Sequence, residues 1–162
     1  MKRLIVLGTG MVFVVLLAVH ASAPAASHPG ALRDKLQEAV NRGDLAGAMA
    51  LWTDDAVIDN PVACPEAPCS GKAGIQKDLE RRINSKNRPK TLKHYVSGNL
   101  LTTRVELRSG LTEKAGVDRV IFWLIYEMKG DKIAWERGPL YERNDPQTAK
   151  YVAWLKTQQP AR

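Results

Sequence analysis

Gly43 to Ile75, GDLAGAMALWTDDAVIDNPVACPEAPCSGKAGI, carries a helix, an acidic turn, a short strand, a cysteine-closed loop and the start of another helix. Gly43 supplies a residue free to take positive φ at the end of a preceding helix whose apolar positions are Leu32, Leu36, Ala39 and Val40. Asp44 caps a second helix that places Leu45, Ala48, Met49 and Trp52 on one face. Ala56 to Asp59 reads as a short strand stopped by Asn60-Pro61, and a third helix after Ser70 has Ile75, Leu79 and Ile83 as its apolar face.

Beyond this stretch the period of the sequence changes from helical to two. His94 to Ser97, Leu101 to Arg108, Val117 to Met128 and Lys132 to Glu142 read as strands, with turns at Gly98-Asn99 and Gly130-Asp131. Hairpin-linked strands make an antiparallel sheet. Helices gathered before a curved antiparallel sheet predict an α+β domain in which the N-terminal helices cover one sheet face and leave a cone between the layers. Asp145-Pro146 starts a last helix, with Ala149, Val152, Ala153 and Trp154 or Leu155 packing back.

The chain has 162 residues. Lys2 and Arg3, the apolar run Leu4 to Val19 and Ala23-Pro24-Ala25 form the pattern of a signal peptide over residues 1–25, which predicts a periplasmic or secreted protein. An uncleaved segment is the alternative, and the only route to membrane contact. Residues 26–157 then form one domain and residues 158–162 a flexible tail. Without Lys2 and Arg3 the balance is 22 basic against 17 acidic residues, near +5. Seven of the basic residues crowd between Lys77 and Lys93, where helix geometry puts them on the wet side of the third helix and in the following loop. No interleaved aromatics accompany them, so nucleic acid is not an expected partner.

Cys64 and Cys69, separated by Pro65-Glu66-Ala67-Pro68, predict a structural disulfide in an oxidising compartment. Of three histidines, His20 falls in the leader, His28 at the new terminus, and His94 stands alone on a strand. That inventory predicts no metal site in the usual three-histidine or four-ligand form. Phosphate-binding glycine loops, dinucleotide fingerprints and nucleophile elbows are absent, and no cofactor is expected.

The Gly-Asp break, the helix ending in Leu51-Trp52, the Asp54-Asp55-Ala56-Val57 strand entry and the Pro-bearing loop closing on Ser70-Gly71 together resemble the nuclear transport factor 2-like superfamily. That superfamily includes ketosteroid isomerases, limonene-epoxide hydrolases, polyketide cyclases of the SnoaL type and members with no catalytic role. The resemblance implies a cone-shaped fold; it specifies an activity far less well. Ketosteroid isomerase relatives carry a catalytic aspartate directly before the proline that matches Pro61, and this chain has Asn60 there. An amide cannot take up a proton, so the general base is missing unless Asp59 turns inward. The relatives' oxyanion donors fall near Leu36 and Trp123, neither of which supplies the family's group. In the hydrolase and cyclase relatives a key aspartate lies a few residues beyond the segment that matches Lys132 to Trp135, near Gly138 of this chain.

Glu136 is the nearest carboxylate in the same alternating register. Either Glu136 or Trp135 faces the cone, and period two alone leaves both registers open. Glu136 and Asp59 are thus the candidate acid/base residues. Trp52, Asn60, Arg119, Trp123, Tyr126 and Tyr141 are the candidate ligand-binding residues, able to line an apolar pocket or to pack as core. The unbroken apolar run Val120 to Tyr126 gives the sheet two apolar faces and predicts a homodimer through the face that the helices leave open. Two functions follow from these residues: an exported domain that binds a small lipophilic ligand or serves as an accessory module, and alternatively an isomerase, cyclase or hydrolase acting on a lipophilic carbonyl or epoxide.

Overall fold

The computed structural model describes residues 28–158. The leader assigned to residues 1–25 lies outside them, as does the assigned tail apart from Gln158. Helix α1 (Pro29–Arg42) starts with proline, and the ring nitrogen of His28 accepts from the Gly30 N–H at 3.2 Å. It stops at Gly43, where φ is 72° and the Gly43 and Asp44 N–H groups donate to the carbonyls of Val40 and Ala39. Asp44 caps α2 (Leu45–Ala50) by accepting from Gly47 N at 2.8 Å.

Trp52 does not belong to α2. It opens strand β1 (Trp52–Asp59), four residues before the expected start, because Leu51 accepts from Ile133 N at 2.8 Å and Trp52 pairs with Ile133. Cross-sheet bonding outweighs the helical spacing that placed its indole beside Met49. Strand β2 (Cys69–Ser70) follows the loop closed by the Cys64–Cys69 disulfide, whose Cα atoms are 5.7 Å apart. Helix α3 (Gly71–Asn84) leads to β3 (Arg88–Ser97) and β4 (Leu100–Arg108). The next loop contains a short helix, α4 (Gly110–Lys114), held by reciprocal Ser109–Thr112 capping. Strands β5 (Val120–Lys129) and β6 (Lys132–Tyr141) and helix α5 (Pro146–Gln158) complete the described residues.

The six strands form one curved sheet in the order β2-β1-β6-β5-β4-β3. The hairpins β3–β4, β4–β5 and β5–β6 are antiparallel as expected, but β1 joins β6 in parallel, so the sheet is mixed. Basic residues Arg88, Lys90 and Lys93 lie on the edge strand β3 rather than in a loop. Charged side chains there discourage pairing with another sheet.

Helices α1 and α3 cover one face. Leu32, Leu36 and Val40 from α1 and Ile75 and Leu79 from α3 meet Leu101, Val105, Val120, Phe122 and Leu124 from the sheet in one core. Each such side chain contributes roughly 1.5–3 kcal/mol when fully buried. In α5, Tyr151 is the buried aromatic and Ala153 is exposed, a shift from the expected packing face. Among the described residues no helix is long and apolar enough to cross a membrane.

Candidate functional site

Between the helical layer and the concave sheet face lies a cavity of about 80 Å³. Its apolar wall comes from Leu36 and Val40 of α1, Val105 of β4 and Val120, Phe122 and Leu124 of β5. Alternation along β5 sends Phe122, Leu124 and Tyr126 inward, while Trp123 and Ile125 look to the other side.

In β6 that alternation breaks. Ile133 and Glu136 are both buried although three residues apart, because the register shifts where Glu127 faces Trp135 and Met128 faces Ile133. The shift settles the open register: Glu136 enters the cavity at 1% exposure, between Ile58 of β1 and Tyr126 of β5, and Trp135 stays on the other side half-buried.

Glu136 is not free. Arg82 of α3 donates to its two oxygens at 2.6 and 3.1 Å. The same guanidinium uses Nε to reach Asp78, whose other oxygen accepts from Arg81 at 2.6 Å. Burial pushes the Asp78 carboxyl up, but Arg82 and Arg81 outweigh it and hold the group below its ordinary value. Burial likewise pulls Arg82 down, yet Asp78 and Glu136 together raise it well above the usual guanidinium range. Arg82 therefore sits inside the structure, not on the wet side of α3. The i to i+4 spacing of Asp78 and Arg82 beside Ile75 and Leu79 is the sequence signal for this pair.

Asn60 also lines the cavity. Its Oδ1 accepts from Val62 N and Ala63 N at 3.0 and 3.1 Å, which ties the residue to the loop and leaves its NH2 as the group it can offer. Tyr141 lines the cavity between Phe122 (ring centroids 6.0 Å apart) and Tyr151 of α5 (5.8 Å). Tyr126 is fully buried beside Glu136, and burial raises its phenol above the ordinary tyrosine value.

Four candidates lie elsewhere. Trp52 is a core residue at the start of β1. Asp59 points to the other side of the sheet, 3.6 Å from Arg137, so it has not turned inward. Arg119 holds Asp145 at 3.2 Å and Glu106 at 3.8 Å, bracing the entry to α5. Trp123 packs on Tyr95 on the open sheet face, with centroids 5.8 Å apart.

Arg33 is the residue that pattern reading missed. It lines the cavity from α1 with 3% exposure, and its guanidinium lies 5.6 Å from the Tyr126 ring centroid. Its signal is a charge three residues before Leu36 and seven before Val40, within the helix's apolar stripe. Among the described residues no group of three or more His, Cys, Asp or Glu side chains is placed to hold a metal ion.

The family model for the SnoaL-like domain matches residues 34–136. No significant match is found among curated proteins. Among solved structures, the epoxide hydrolase/cyclase-like enzyme SalBIII of salinomycin pyran-ring formation superposes with a TM-score of 0.59 at 13% identity, covering 72% of this chain and 92% of that one. The Mycobacterium tuberculosis protein RV0760c, in complex with estradiol-17beta-hemisuccinate, gives 0.58 at 17% identity, covering 68% and 91%. A nuclear transport factor 2-like protein of unknown function from Cytophaga hutchinsonii gives 0.57 at 12%, covering 72% and 92%. At such identities the likeness establishes the fold.

Proposed function

This chain belongs to the SnoaL-like domain family, and from that premise we propose that it is an exported small-molecule-binding domain whose cone takes a compact, largely apolar ligand. The observation that carries this reading is the state of Glu136. It is the one carboxylate among the described residues that lines the cavity, and both its oxygens already accept from Arg82. A proton acceptor needs a free lone pair aimed at substrate, and here an incoming proton competes with two charge-assisted hydrogen bonds. Binding asks less of the site: apolar walls and a few convergent polar groups, which Leu36, Val105 and Phe122 together with Asn60 and Tyr141 provide. The steroid ligand of the RV0760c complex shows a neighbour of this fold holding a lipophilic molecule.

Two further parts of the proposal rest on separate observations. Export accords with the Cys64–Cys69 disulfide, since such bonds persist in oxidising compartments. A homodimer through the open sheet face accords with Tyr95 and Leu140, which are about half exposed there beside Trp123.

A second reading has its own support. Glu136 does enter the cone, and SalBIII is a hydrolase/cyclase-like enzyme of the same fold. In that reading the chain is an isomerase, cyclase or hydrolase for a lipophilic carbonyl or epoxide, with Glu136 released from Arg82 as substrate enters. Mass spectrometry of an organic extract from the folded protein, purified from its export compartment, tests the first reading. A stoichiometric lipophilic ligand is expected. If the compound is altered on incubation with protein, and Glu136→Gln binds it without altering it, the enzyme reading replaces the binding one.

A further inference from the structure

Three guanidinium groups border the cavity, and two of them are paired: Arg81 with Asp78, and Arg82 with Asp78 and Glu136. Arg33 has no such partner. Its Nε and Nη1 are shut off from solvent without a hydrogen bond, and no carboxylate of the described residues lies within ion-pair distance of it. Nearby acceptors are committed elsewhere. Asp34, the next residue, turns to Thr91 and His94 at the surface, Gln37 takes the Thr91 hydroxyl through its Oε1 at 3.0 Å, and Glu136 is held at both oxygens by Arg82. Tyr126, the aromatic that Arg33 does touch, is a neutral phenol whose pKa burial raises, so it supplies no counter-charge. The site thus sets three cations against two carboxylates, with the surplus charge on Arg33.

An arginine kept dry without a counter-charge is unfavourable unless an anion arrives to pair with it. We propose that Arg33 is the anchor for the carboxylate of a small apolar monocarboxylic acid whose hydrocarbon part lies along Leu36, Val105, Phe122 and Leu124. This inference rests on the pocket reading above and names its ligand class. The planar fork of Arg33 can donate two parallel bonds to a carboxylate, while the Tyr126 ring supports the guanidinium from behind. A cavity of about 80 Å³ has room for a handful of water-sized groups at roughly 10–15 Å³ each. Short alkyl or aryl acids fit that scale better than a sterol.

Calorimetric titration of the purified protein with matched pairs tests this: hexanoate against hexanol, and phenylacetate against phenylethanol. Each carboxylate is expected to bind about tenfold or more tightly than its alcohol, the scale of one charge-assisted bond. Arg33→Met removes that preference, keeps the alcohol affinity and raises the melting temperature of the empty protein; Arg33→Lys keeps part of the preference. Should Arg33→Met fail to fold, Arg33→Gln, which keeps polar donors but no charge, provides the same test through loss of the preference for the carboxylates. Equal affinity for acid and alcohol in the unaltered protein overturns the carboxylate site and leaves the apolar pocket standing. Failure of all four probes to bind at millimolar concentration overturns both.

Discussion

Asp78 and Glu136 come from different layers of the protein, and a single side chain, Arg82, satisfies both. Removing that side chain while keeping its volume leaves Glu136 buried with no cation in reach and Asp78 with Arg81 alone. Breaking a buried pair in this way typically costs about 3–5 kcal/mol, so Arg82→Met is expected to lower the urea midpoint sharply at neutral pH. Acid titration gives the same network a signature. The folded-state pKa of Asp78 is depressed, so its contribution is fully present above its unfolded value near 3.8 and is lost as pH falls through the lower folded value. Stability of the unaltered protein should therefore fall below about pH 4, and Arg82→Met should flatten that part of the profile. An unchanged acid profile in the variant, measured by urea titration at several pH values, would show that Arg82 does not hold the Asp78 charge.

At the scale of elements, the bulge in β6 decides what was legible. The apolar run Val120 to Tyr126 makes β5 readable from sequence as a strand, and the β3–β4 and β5–β6 hairpins follow from Gly98-Asn99 and Gly130-Asp131. In β6 the extra residue puts Ile133 and Glu136 on one face, which no period of two can foresee. The parallel pairing of β1 with β6 was equally hidden, because it is fixed by long-range bonding such as Ile133 N to Leu51 O and not by any local turn. Arg33 was hidden for a different reason: a charge within an apolar stripe reads as an interruption until the Tyr126 ring beneath it is known. Farther along β6, Gly138 occupies the place where the resemblance puts an aspartate. Its φ is 131°, and a Cβ there would lie 2.8 Å from the Trp123 carbonyl oxygen and 2.9 Å from Leu124 Cδ2. The missing acid is thus excluded by backbone shape. Gly138→Ala is expected to lose about 1–3 kcal/mol from the strained conformation alone, with the contact to Trp123 adding to it. A denaturation midpoint equal to that of the unaltered protein would mean that β6 can relax there.

For the whole molecule, the asymmetry between the sheet's two faces is the feature still to be satisfied. The concave face is covered by α1 and α3, whereas the other presents Tyr95, Leu100, Trp123, Ile125 and Leu140 among Arg104, Glu142 and Arg137. Within that face Arg104 grips Glu142 through two bonds of 2.7 Å, so the charges beside Trp123 are already neutralised and add little repulsion between two copies. Tyr95 at 49% and Leu140 at 48% exposure flank Trp123, and an isologous contact would bury them against the same patch of a second copy. Light scattering at micromolar concentration is expected to give twice the chain mass. The double substitution Tyr95→Glu with Leu140→Glu is expected to give a monomer whose folded state shifts little, because side chains already half in water usually alter stability by less than about 0.5 kcal/mol each. A monomeric unaltered protein would remove the dimer from the proposal. Because the cavity lies on the opposite face of the sheet, ligand affinity should survive the double substitution unchanged, and a parallel loss of binding would show that the two faces of the sheet are coupled.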